Sequence, residues 1–366
     1  MKETLLNLKI LLSFWDLIRR RDFVLGETVR RLEKQLADFC GATYALGVGS
    51  GTDALILSLK ACGVGPGDEV ITAAVGFFST AGAISWVNAT PVFVDADADT
   101  FNIGVSKIEA AITSKTKAIV PVHLNGRMVD MEPILALAKK YNLFVIVDAA
   151  QAIGSKYKDK PIGQWGDLVC LSFGYSKILE TYGDGGMIFT NRPDLAEKIA
   201  LFRTYGAPSW KDIHTDNRVV GVASRLGSFQ AAVVLEKLPF LTRMIERQRT
   251  NYFLYNELLK ETEDITLPCN ESDYSINGYR LAMLTTRRDE LQNFLSNHGE
   301  KLHNWYPVPL PYLPAFQNLG YKKGDFPVAE KIADECLILP TRYNLPAGKG
   351  ARITNLINEF FHARAD

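Results

Sequence analysis

Three stretches of the chain carry side chains suited to chemistry on one small ligand. Lys177 lies in Ser172-Phe173-Gly174-Tyr175-Ser176-Lys177-Ile178-Leu179, just beyond an apolar run and ahead of the Gly183-Asp184-Gly185-Gly186 turn. Most lysines are solvated surface charges, but one partly desolvated in a cleft is an amine nucleophile able to bond covalently to an aldehyde. Asp148 closes the unbroken apolar run Leu143-Phe144-Val145-Ile146-Val147 and is followed by Ala149-Ala150-Gln151. A carboxylate delivered from a buried strand is costly unless it meets a positive partner, and a protonated ring nitrogen would serve; capping the next helix is the plainer use. Gln151, three residues on, can present an amide to the same ligand. Gly49-Ser50-Gly51-Thr52-Asp53 has the composition of a turn opening a helix, with amides and hydroxyls directed at an anion or simply capping the helix. It has neither the spacing of a GxGxxG fingerprint nor the Gly-Lys of a P-loop.

In chain order these are an anion cradle, a carboxylate after a buried strand, and a lysine after a later strand. Pyridoxal phosphate needs that set: a grip on the phosphate, a carboxylate that keeps the pyridine nitrogen protonated so that the ring acts as an electron sink, and a lysine for the aldehyde.

The elements that must position these residues follow from the periodicity. Apolar runs at 44–48, 69–73, 91–95, 118–122, 143–148, 168–173 and 186–190 read as strands. They alternate with helix-period stretches at 27–39, 52–61, 80–87, 107–112, 131–141 and 193–203. Such alternation predicts an α/β fold whose mostly parallel central sheet has helices on both faces. Ligands of such sheets sit at the carboxyl ends of the strands, where the three stretches fall. A further helix at 228–238 is expected to break at Pro239, and beyond it short strands mix with helices. The expected division is a large α/β domain over 1–240 and a smaller C-terminal α+β domain over 241–366.

Composition narrows the function classes. The 366 residues include 41 Lys plus Arg and 41 Asp plus Glu, so no net field draws the chain to nucleic acid or to an anionic membrane. The five cysteines, at 40, 62, 170, 269 and 336, are far apart and include no CxxC pair, and the five histidines show no HxxxH or HExxH spacing. No metal site is expected, and the cysteines read as reduced thiols. The run from Leu5 to Phe14 is too short to span a bilayer, is interrupted by Lys9 and has no small-residue cleavage site before Arg19-Arg20-Arg21. It reads as an amphipathic helix of a cytoplasmic protein.

Several motifs in order resemble the DegT/DnrJ/StrS sugar aminotransferases, of the type I (aspartate aminotransferase) fold of pyridoxal-phosphate enzymes. They are Ser50-Gly51-Thr52-Asp53-Ala54-Leu55, Gly65-Pro66-Gly67-Asp68-Glu69-Val70, Ala89-Thr90-Pro91-Val92-Phe93-Val94-Asp95 and Asp148-Ala149-Ala150-Gln151. The resemblance implies that Lys177 bonds to the cofactor aldehyde and, once released, shuttles the substrate proton. It further implies that Asp148 pairs with the ring nitrogen, that Gln151 contacts the ring hydroxyl, and that Gly51, Thr52 and Ser172 hold the phosphate. Phe77, in Gly76-Phe77-Phe78-Ser79-Thr80, falls where the family stacks an aromatic ring on the cofactor; packing in the core beside Phe78 is the alternative.

Members of the family are homodimers with the active site at the interface, and the loop that reaches the partner's phosphate matches Gly221-Val222-Ala223-Ser224-Arg225-Leu226. Here Ala223 replaces the family's Asn, an amide donor that Ser224 or Arg225 would have to make good. Ile178-Leu179-Glu180 replaces Asn-Leu-Gly after the lysine, Gly174-Tyr175-Ser176 a common Tyr-Pro-Thr before it, and Trp305-Tyr306-Pro307 a His-Tyr-Pro. The implied activity is ping-pong transfer of an amino group from L-glutamate to a nucleotide-linked keto sugar. A cyclitol or other ketone as acceptor, and a non-catalytic regulatory protein that binds the cofactor, are the alternatives.

Overall fold

The computed structural model describes residues 3–269 and 273–362. Its strands are β1 (Tyr44–Val48), β2 (Glu69–Ala73), β3 (Thr90–Val94), β4 (Thr116–Val120), β5 (Phe144–Asp148), β6 (Lys156–Tyr157), β7 (Lys160–Pro161), β8 (Leu168–Ser172), β9 (Gly186–Thr190), β10 (Tyr274–Ser275), β11 (Leu281–Leu284) and β12 (Cys336–Leu339). Seven form the central sheet in the order β1-β9-β8-β5-β4-β2-β3. Only β9 runs against the others, pairing antiparallel with β1 and β8.

The apolar runs are unbroken because both faces of this sheet are covered. Ile71, Ile119, Val145, Val147, Val169 and Leu171 point into a core shared with the helices Glu27–Cys40 and Met131–Tyr141. Their neighbours Val70, Val120, Ile146, Leu168 and Cys170 enter a second core with the helices Gly51–Ala61 and Pro193–Phe202. Adjacent residues of one strand serve opposite cores, as the two-residue period requires.

Two expected elements shift. The fourth strand begins at Thr116, two residues early, because an irregularity in its register with β2 lets pairing resume upstream of Ala118. The helix expected at 107–112 is one α turn, Val105–Ile108, that tightens into a 3₁₀ turn at Glu109–Ala111. Pro239 stands in a 3₁₀ turn, Leu238–Phe240, between the helices Ser228–Lys237 and Leu241–Leu259.

Leu241, Met244 and Ile245 join the large core, whereas Tyr252, Tyr255 and Leu259 of the same helix join a C-terminal one. That second core is completed by one face of the antiparallel β11–β12 pair, Leu281, Met283, Leu337 and Leu339. The other face of the pair packs Ala282, Leu284 and Cys336 toward Phe93 and Val122 of the large unit. At the amino end, the helix Glu3–Arg20 buries Ile10 and Leu17 while Leu8, Leu11, Leu12 and Trp15 stay exposed. No described helix is long and apolar enough to cross a membrane.

Candidate active site

The cradle forms where β1 ends. The Ser50 hydroxyl caps the helix Gly51–Ala61 by accepting from the Asp53 amide at 3.0 Å, so the capping use is real. It leaves the helix's first amides, at Gly51 and Thr52, pointing out of the N-terminus as a site for an anion. Gly51 is required sterically, since a Cβ there would stand 2.7 Å from Ser172 Cβ at the end of β8. Gly186, at the start of the antiparallel strand, is held equally tightly: its Cβ would meet the Ser50 carbonyl at 2.3 Å. Two glycines thus bring the helix N-terminus and the Ser172 hydroxyl to one point.

Asp148 ends β5 and is buried. Its Oδ2 accepts from Thr80 Oγ1 at 2.7 Å and its Oδ1 from the Ala150 amide at 3.1 Å. It forms no ion pair with any described residue, so a buried carboxylate is left with neutral donors only. Gln151 is fixed nearby: Oε1 accepts from the Asn125 amide at 2.8 Å, and the side chain also bonds the Tyr306 hydroxyl, whose ionisation is pushed up by burial. Phe77 is 56% exposed, which excludes the core alternative; Phe78 instead stacks on the buried Phe316 at 5.7 Å. The Phe77 ring lies 6.4 Å from that of Tyr306.

Lys177 sits in a loop whose conformation is held from several sides. Its amide donates to the Gly174 carbonyl at 3.2 Å, and Nζ lies 5.6 Å from the Tyr279 ring centroid. Ser176 adopts a left-handed φ of 76°. Glu180 accepts from the Ser176 amide at 3.0 Å, pairs with Arg342 at 3.1 Å and takes Lys237 at 4.0 Å. Glu180, one of the departures after the lysine, is therefore spent on the lysine loop.

The substrate-side wall comes from the C-terminal segment. Buried Asn277 donates to the carbonyls of Gln151 and Ile153 at 2.8 and 3.0 Å, and accepts from the Tyr279 amide at 2.9 Å. It staples the Tyr279-Arg280 turn beside the loop that follows β5. Trp305 and Tyr306 lie adjacent, with ring centroids 5.8 Å apart. Sequence reasoning assigned no role to Thr80, at the end of the Phe77 motif, or to Asn125, Asn277, Tyr279 and Arg280, which lie in no quoted motif; these residues act through chain-distant contacts. Tyr306 was visible only as part of an altered motif.

Beside the cradle, the Ser224 hydroxyl donates to Asp53 Oδ2 at 2.8 Å and accepts from the Gly49 amide at 3.1 Å. Buried and doubly used, it is not free to stand in for the missing Asn side chain at Ala223. Arg225 lies over the Trp210 and Tyr205 rings at 4.7 and 5.2 Å.

A helix N-terminus meeting a serine hydroxyl, a buried carboxylate lacking a cation, a half-exposed aromatic ring and a partly buried lysine fit pyridoxal phosphate group by group. On a type I fold, this is the architecture of a pyridoxal-phosphate-dependent aminotransferase. Residues 9–358 match the DegT/DnrJ/EryC1/StrS aminotransferase family, and the chain belongs to it. It is 44% identical to a "Pleiotropic regulatory protein" of Geobacillus stearothermophilus, over 94% of this chain and 92% of that one. It is 40% identical to a UDP-2-acetamido-2-deoxy-3-oxo-D-glucuronate aminotransferase of Pseudomonas aeruginosa, over 88% of each. The crystal structure of DesV from S. venezuelae superposes with a TM-score of 0.93 at 32% identity, covering 97% of this chain and 95% of that one.

Proposed function

We propose that the protein transfers an amino group from L-glutamate to a keto sugar carried on a nucleotide, by a ping-pong mechanism. The observation that carries this reading is the convergence of Lys177, buried Asp148 and the Gly51–Ser172 cradle at the carboxyl ends of one sheet. The nucleotide-linked oxo sugar named for the P. aeruginosa relative supports the substrate class.

The amides of Gly51 and Thr52 and the Ser172 hydroxyl hold the phosphate. Asp148, oriented by Thr80, keeps a proton on the ring nitrogen; Gln151 faces the ring hydroxyl and Phe77 covers the ring. When bound, the cofactor supplies an electron sink for the carbanion formed at the donor's α-carbon. Lys177 Nζ would be the covalent anchor of the bound cofactor and, as a free amine, would be the base that takes the proton from the donor carbon and the acid that returns it.

The large unit, 1–240, holds the cofactor, and the smaller, 241–366, closes the substrate side. The working form is a cytoplasmic homodimer whose sites are completed by the partner's 221–226 loop, a reading supported by the exposure of Val220 beside that loop, 95%, and of Val222 within it, 52%.

Purified enzyme should release about one equivalent of 2-oxoglutarate per site from glutamate alone and turn over repeatedly only with a keto-sugar nucleotide present, give parallel double-reciprocal lines, and lose both turnover and the covalently held cofactor in Lys177→Ala. Acceptance of only cyclitol or other free ketones would move the acceptor. The name of the G. stearothermophilus relative favours a second reading, a regulator that binds the cofactor without turnover. Retained cofactor with no glutamate-dependent 2-oxoglutarate would select it.

A further inference from the structure

Arg280 is a cation without a counter-ion. Its guanidinium carbon lies 3.5 Å from the Trp305 ring centroid and 4.7 Å from that of Tyr279. No described residue hydrogen-bonds or ion-pairs with it, and none of its nitrogens is sealed from solvent, so its donors remain open to a ligand. Burial pulls its ionisation below the usual arginine value, although an arginine remains charged. The neighbouring Arg342 is different, because Glu180 neutralises it at 3.1 Å. Of these two arginines, only Arg280 keeps an unpaired charge.

Location fixes what the charge is for. The Tyr279 ring that lies against Arg280 also lies 5.6 Å from Lys177 Nζ, so a single ring separates this cation from the amine at which the chemistry occurs. Stacking on Trp305 uses a flat face of the guanidinium and leaves its N–H edge, which matches the two oxygens of a carboxylate. A nucleotide's diphosphate is a poorer match, since a whole sugar ring separates it from the carbon that reacts at Lys177.

The geometry points to Arg280 as the binding residue for a substrate carboxylate beside Lys177, across the Tyr279 ring. The carboxylate belongs either to the amino donor or to a keto sugar of the hexuronate class. This deepens the aminotransferase reading and rests on it for the choice of ligand. The Trp305 departure from the family motif then has a physical role, as the platform that orients the guanidinium.

The test is calorimetric titration of the cofactor-loaded enzyme, which needs no turnover, with two matched pairs of probes: UDP-glucuronate against UDP-glucose, and glutarate against glutaramide. Arg280→Gln should weaken the carboxylate member of one pair about tenfold or more while moving its neutral partner less than about twofold, and Arg280→Lys should recover part of the loss. Loss on UDP-glucuronate assigns the site to the sugar; loss on glutarate assigns it to the donor. Unchanged binding, equal loss on charged and neutral members, or failure of the unsubstituted enzyme to bind either carboxylate overturns the proposal. Retained visible absorbance of the cofactor shows that each variant is folded and loaded. An enzyme that passes this test yet fails to transaminate refutes the proposed function alone.

Discussion

Asp148, Ser172 and Gly51 stand at or just past the carboxyl ends of strands in one sheet, with Gln151 three residues beyond Asp148. Facing them, Tyr279, Arg280, Trp305 and Tyr306 come from two loops of the C-terminal part, held by ring stacking and by the Asn277 staple. The sheet wall is positioned by backbone pairing that the whole core defends, whereas the loop wall is positioned by side chains that can be exchanged singly. In the proposed function, cofactor chemistry belongs to the first and substrate choice to the second.

Substitutions can break or sharpen that contrast. The largest effect is expected in the sheet wall: Asp148→Asn removes the charge proposed to partner the ring nitrogen and should lower turnover on the order of a hundredfold, ~3 kcal/mol, with little change in KM for the sugar. A variant that mainly raised KM would erase the distinction between the walls.

Beneath the same wall lies His123, fully buried, with Nδ1 accepting from the Val129 amide at 3.2 Å. Burial pushes its pKa from 6.5 to about 3, so between those values the unfolded chain binds a proton that the folded one refuses. Its contribution is complete above pH 6.5 and is lost as pH falls through that window, at up to about 1.4 kcal/mol per pH unit. Thermal melts of His123→Asn, which keeps an acceptor for Val129, should show a flatter acid limb than the parent. Identical limbs would exclude His123 as the titrating group.

Gly51→Ala should cost roughly 1–3 kcal/mol of cofactor affinity, because the new Cβ must displace Ser172 from the cradle. Equilibrium dialysis of the cofactor reads this directly, and unchanged affinity would mean that the cradle yields. The smallest effect is expected at the partly buried Glu180. Glu180→Gln weakens the tie to Arg342 by about 0.5–1 kcal/mol and should speed amide exchange in residues 174–181 severalfold with little change in melting temperature. Unaltered exchange would show that backbone bonds alone fix the lysine loop.

The same division explains what the chain disclosed before folding. Lys177, Asp148 and the Gly51 turn were legible because each directly follows an apolar run, so strand periodicity and residue type coincide within a few positions. Exposed Phe77 needed the family motif to distinguish it from Phe78, since adjacent phenylalanines look alike until one finds Phe316. Thr80, Asn125 and Asn277 were silent: a threonine 68 residues before its aspartate has no local signature. Arg280 was silent too, because an arginine's lack of a partner is a property of three-dimensional surroundings. The fold was read more fully than the site, as two-residue alternation between cores is local and the loop wall is not.

The burial of Asp148 against neutral donors has one more effect. Sequestering an anion without a cation costs folding free energy, so the protein lacking its cofactor is the less stable form, and the cofactor acts as a ligand that draws the chain toward the native state. The cellular abundance of this protein should therefore follow vitamin B6 supply, with starvation exposing newly made chains to proteolysis before any shortage of catalytic activity is felt.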